Sequence, residues 1–243
     1  MSIALDTSAQ AEARAGKPER IRAWDLPTRL FHWGLLALIV SSWVSSEYST
    51  DPYLTWHKWS GYSILILLVF RLVWGFVGGS TSRLSAFLNW PSTAARYARD
   101  LVRGRARKYL SHNPLGTWMI IALFVTVSVQ ATAGLFTPNE NFVGSGPLSD
   151  VVTETTARTM SWLHHRGFNV LLALAALHVT VNLGYQFIKR DPIVAAMITG
   201  QKPRAGYEDQ AQATGGSVAL AALVLAGSAA GVLGAIWLAG GTF

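Results

Sequence analysis

The chain has 243 residues, of which 51% are hydrophobic and only 14% charged, with ten Trp and no Cys. A soluble chain of this length could bury a large core, but it rarely offers five apolar runs near twenty residues long, so composition excludes an ordinary soluble domain. Without cysteine, disulfides, thiolate-held clusters and thioether-linked cofactors are excluded, and the formal charge of +7, placed at the ends of the apolar runs, reads as topology and lipid contact rather than nucleic-acid binding.

Residues 1–19 are small and polar and are expected to form a disordered cytoplasmic tail. Apolar runs then follow at 28–46, 54–77, 115–136, 161–187 and 217–239, each predicted helical because isolated strands cannot satisfy their backbone in lipid. The predicted fold class is all-α: an integral membrane helical bundle with a four-helix core over 20–192 and a fifth transmembrane helix. Between the second and third runs lie Arg83, Arg96, Arg99, Arg103, Arg105, Arg107 and Lys108, whereas the segment from Glu47 to Trp56 has no basic residue and that from Thr137 to Ser161 has only Arg158. Basic loops stay in the cytoplasm. The N-terminus is therefore expected inside and the C-terminus outside, in a bacterial inner membrane. The stretch 193–216, rich in Gly, Gln and Ala towards its end, reads as a flexible cytoplasmic link. In the fifth run, Gly227 and Gly231 form a GxxxG that permits close helix approach, either to the core or to a second copy in a homodimer, without deciding between them.

Histidine is the remaining strong nitrogen donor, and five of the six histidines, all but His112, fall within the runs. His164 and His178 stand fourteen residues apart, so on one helix they return to within about 40° of the same face roughly 21 Å apart. His165 lies about 140° from His178 by the same arithmetic. His57, near the outer end of the second run, matches the depth of His164; His32, near the inner end of the first, matches His178. Two bis-imidazole sites at two depths suit two non-covalent haems b and an electron path across the bilayer. A structural zinc site would gather four ligands at one depth. Arg71, fourteen residues beyond His57, and Arg29, one turn before His32, are placed to pair with propionates or to snorkel to lipid phosphate. His112, in the basic loop, is expected to shape a pocket or cap the loop rather than to ligate.

WDLPTRLFHW in the first run, HKWSG and FRLVWGFVGG bounding the second, SHNPLG and TAGLF around the third, and HHRGFNVLLALAALHV in the fourth resemble the bacterial cytochrome b561 family, which includes the b-type cytochrome subunit of nickel-iron hydrogenases. The likeness covers roughly residues 20–192. It implies a four-helix di-haem core whose ligand positions carry over onto His32, His57, His164 and His178; an acidic residue often follows the first ligand of the fourth helix, and here His165 stands there. The expected function is transmembrane electron transfer between the quinone pool and a redox partner in a respiratory chain: a c-type cytochrome, a hydrogenase or another dehydrogenase. An oxidoreductase acting directly on a small substrate such as superoxide, and a haem-free membrane anchor, are the alternatives. The segment from Thr137 to Ser161, with Glu140, Asp150 and Glu154, is mildly acidic and would dock a basic surface.

Overall fold

The computed structural model describes residues 20–48, 51–138, 145–204, 206–208 and 214–242, with the side chains of 86 and 87 left aside. The tail 1–19, Glu140 and part of the expected link, 205 and 209–213, lie outside the described residues. In chain order the elements are β1 (Arg20–Arg22), α1 (Leu26–Ser46), α2 (Tyr53–Val77), the one-turn α3 (Leu84–Phe87), α4 (Pro91–Val102), α5 (Pro114–Gly134), α6 (Glu154–Leu183, running on through a π-turn to Ile188), α7 (Ile193–Thr199), β2 (Gln201–Pro203) and α8 (Val218–Leu238).

Among the described residues, four helices are long and apolar enough to cross a membrane: α2, α5, α6 with its π-turn, and α8. The chain is a membrane protein with a helical bundle. α1, at 21 residues, has the same reach, but it is less apolar, being interrupted by Arg29, His32 and four serines. Local chemistry sets the helix starts. Asp25, Asn113, Thr153 and Ser217 each accept a backbone N–H from the first turn that follows, and Pro stands in the first turn of α1 and α5, where its missing N–H costs nothing. α6 consequently begins at Glu154, just after its Thr153 cap and seven residues before the expected 161.

α1 with α2, and α5 with α6, pack as two helical hairpins. They join mainly through α2 against α5, while the backbones of α1 and α6 stand apart. Ile64, Leu68, Val127 and Leu171 form the buried layer at mid-bundle. α8 lies on α2, placing Ala221 against Phe70 and Trp74, and Ile236 against Tyr62. This stripe is not the GxxxG face: a Cβ added at Gly227 or Gly231 would meet nothing within 4 Å.

The region expected to be a flexible link is built differently. Gly200, at φ +81°, ends α7 in the left-handed conformation that glycine adopts without strain. The chain then turns so that Gln201–Pro203 pairs antiparallel with Arg20–Arg22. Composition alone had no means to show that pairing, because its register is fixed by tertiary contacts at the basic end of the bundle.

Candidate functional site

The site is two pairs of imidazoles. His57, in the second turn of α2, directs Nδ1 at the backbone oxygen of Ser42 on α1, 2.9 Å away. His164, on α6, directs Nδ1 at the backbone oxygen of Gln130 on α5, also 2.9 Å away. A carbonyl can only accept, so Nδ1 carries the proton in both rings and Nε2 is left with its lone pair free. The two rings face one another with centres 5.9 Å apart and planes at 84°. Gly134, one turn after Gln130, makes this approach feasible, since a Cβ there would fall 2.9 Å from Cε1 and 3.0 Å from Nδ1 of His164.

The second pair sits at the basic end. His32 on α1 and His178 on α6 have ring centres 6.4 Å apart and planes at 45°. The edge of His32 meets Trp33, and its buried Nδ1 has no hydrogen-bond partner among the described residues. His165 is exposed, with its ring centre 6.0 Å from that of His164. The four histidines that helical arithmetic brings together are thus the four that the fold brings together.

Arginine and aspartate organise the end near His32. Asp25 is 2% exposed. It accepts from the Thr28 N–H, the Ser82 hydroxyl, the Trp74 indole and the Gly79 N–H, and so ties the start of α1 to the end of α2. Arg71 is buried beside this hub, within electrostatic reach of Asp25. Arg29 is tied to a distant segment. Its Nη1 donates to the Ile198 carbonyl at the end of α7, while the indole of Trp33 donates to the Met197 carbonyl at 3.2 Å. His112 packs its ring on Trp24, 4.6 Å between centres. Burial, followed by the nearby charges of Arg71 and Lys202, pulls its pKa down to about 3.

The family model of the prokaryotic cytochrome b561 matches residues 23–200. The chain belongs to that family. As a cytochrome b561 it is a membrane electron-transfer protein whose cofactor is haem b. Curated relatives agree over nearly their full length. A probable Ni/Fe-hydrogenase B-type cytochrome subunit of Rhizobium leguminosarum bv. viciae is 22% identical over 231 residues, covering 81% of this chain and 94% of the relative. The subunits of the same description from Azotobacter chroococcum mcd 1 and Azotobacter vinelandii are 23% and 22% identical, each covering 82% of this chain and 96% of the relative.

The residues present fit such a cofactor. Each pair brings two imidazoles from different helices together, at ring-centre separations of 5.9 and 6.4 Å, and at His57 and His164 the carbonyl partners on Nδ1 leave Nε2 as the nitrogen that would hold an iron. Helix spacing revealed the histidines. The oxygens of Ser42 and Gln130 left no trace in the sequence, because backbone groups are common to all residues; Gly134, in the TAGLF motif, was the readable clue.

Proposed function

We propose that this cytochrome b561 carries electrons across a bacterial inner membrane through two haems b, the outer held by His57 and His164 and the inner by His32 and His178. The observation that carries the reading is the presence of two imidazole pairs, at ring separations of 5.9 and 6.4 Å, each formed between α6 and one helix of the α1–α2 hairpin. Bound haem supplies one-electron redox chemistry at its iron. The chain does the rest. Ser42 and Gln130 fix the tautomer of the outer ligands and make them better donors. Ile64, Leu68, Val127 and Leu171 form a dry layer; Leu171 is midway in sequence between His164 and His178. Arg71 places a buried cation at the inner level, where a propionate carboxylate would be stabilised.

The basic loops put the N-terminus and residues 83–113 in the cytoplasm and the C-terminus outside. The names of the relatives point to a hydrogenase as the redox partner, with the quinone pool at the other end of the path. Docking on the outer loop draws little from charge: the exposed Glu154 pairs with Arg158 at 2.6 Å, leaving Asp150 as the exposed carboxylate outside an ion pair among the described residues of that segment.

Haem stoichiometry tests the reading. Purified protein should yield two haems b per chain by pyridine haemochrome, all extractable into acid acetone because no thioether exists. His164→Ala and His178→Ala should each retain one haem, and His165→Ala both. A single haem in the parent protein, or loss of a haem in His165→Ala with none lost in His164→Ala, would overturn the ligand assignment.

A further inference from the structure

A cavity of about 210 Å³ opens at the basic end, well above the ~10–15 Å³ that one water needs. It is walled by Tyr97 of α4, Lys108 and Tyr109 of the following loop, Tyr185 and Lys189 at the π-turn of α6, and Lys202 of β2. Lys202 is fully buried; its Nζ donates to the Tyr109 carbonyl and lies 3.0 Å from Asp191, so these two charges neutralise each other in the floor. Arg107 at the rim is engaged by Glu208 at 2.6 Å. Lys108 and Lys189 are the exposed cations left facing the opening, and Lys189 leans over the Tyr185 ring at 5.6 Å.

The walls add hydrogen-bond donors. The hydroxyls of Tyr97 and Tyr185 lie 3.0 Å apart. Two phenols joined by one hydrogen bond still hold a second O–H proton, which is free to donate to a ligand in the cavity. Burial and the bond to Tyr185 push the Tyr97 phenol upward, so it stays protonated. Among the described residues, the cavity therefore offers two cations outside any ion pair and a phenolic donor, with its one lining carboxylate already paired. An acceptor-rich anion suits this set.

The surroundings indicate its source. Phe187 and Ile188, immediately before Lys189, are 72% and 84% exposed, and Val102 at the end of α4 is 90% exposed. An apolar skirt thus flanks the cationic mouth in a protein that sits in a bilayer. The geometry points to this cavity as a binding site for a phosphate group supplied by the headgroup of an anionic phospholipid, with the acyl chains lying over Phe187 and Ile188. A basic pocket at the headgroup level beside membrane helices is a recognised setting for such recognition. Soluble phosphate esters share the chemistry and lack the chains. The site is independent of the haem ligands and of the direction of electron flow.

Native mass spectrometry of the detergent-purified holoprotein tests it, using phosphatidylglycerol, phosphatidylcholine and glycerol 3-phosphate as probes. Phosphatidylglycerol should bind in preference to phosphatidylcholine, whose choline cation would be repelled by the lysines. The double variant K108A/K189A should weaken phosphatidylglycerol roughly 20-fold, from about fivefold per lysine, with the haem spectrum unchanged. Equal binding of the two lipids, or undiminished binding by the variant, would overturn the site. Displacement of phosphatidylglycerol by millimolar glycerol 3-phosphate would overturn the lipid source and assign the cavity to a soluble ester.

Discussion

Gly134 is where a single missing methyl group matters most. In Gly134→Ala the new Cβ would press on the His164 ring at 2.9 Å, and overpacking of this kind costs about 1–3 kcal/mol. Thermal unfolding should therefore drop in temperature, and the haem lost first on warming should be the one that His164→Ala lacks; Gly227→Ala, with open space around its Cβ, should behave as the parent. A Gly134→Ala protein indistinguishable from the parent in both readouts would show that the ring can shift at no cost. His112 makes a prediction about acid. Its pKa is about 3 in the folded chain against 6.5 when exposed, so between these values the unfolded chain binds a proton that the folded chain refuses. Stability should fall as pH is lowered from about 6.5 towards 3 and be indifferent to this residue above that window. His112→Gln should flatten the loss of melting temperature between pH 7 and pH 4.5, and an unchanged slope would remove His112 as its cause. At this scale the sequence was legible where side chains repeat at helical spacing, as with His164 and His178. It was silent on Arg29, whose guanidinium is captured by the Ile198 carbonyl 169 positions away, because nothing local to LPTRLFHW marks so distant a partner.

Among elements, the long apolar helices were legible to within two residues at every end except the start of α6, since length and hydropathy are local properties. The segment after α6 was not. Gly200–Gly216 looks unstructured by composition, yet its early part is held by a buried Lys202–Asp191 pair at 3.0 Å and by pairing of β2 with β1. Removing one member of a buried ion pair strands the other. Lys202→Ala should cost about 3–5 kcal/mol of stability, read as a large fall in melting temperature, and the double variant K202M/D191N should recover part of it. If the double variant is as unstable as the single one, lost packing rather than the stranded carboxylate explains the defect. α4 shows the opposite balance. Its buried Ala94 and Tyr97 alternate with exposed Arg96 and Arg99 at helical spacing, the amphipathic pattern of a helix lying along a surface, although the pattern could not indicate that Tyr97 would reach Tyr185.

For the molecule as a whole, the lack of cysteine makes orientation directly measurable. In spheroplasts, a membrane-impermeant maleimide should label Asp150→Cys and Thr242→Cys, and should reach Ser92→Cys only after permeabilisation; the reverse pattern would invert the bundle. The all-helical membrane class followed from composition, and the pairing of histidines by depth followed from helix geometry. What could not be foreseen was the arrangement of the basic end, because it depends on which distant segments meet there. That meeting also sets a timetable for biosynthesis. β1 is made first and β2 about 180 residues later, which at about 5–20 residues per second is roughly 10–40 s of translation. Throughout that interval Arg20–Arg22 has no strand to pair with, Arg29 and Trp33 have no α7 to hold, and until α6 emerges His32 faces no His178. The basic end of the bundle is therefore closed late, by parts of the chain that leave the ribosome after α1, α2, α5 and α6.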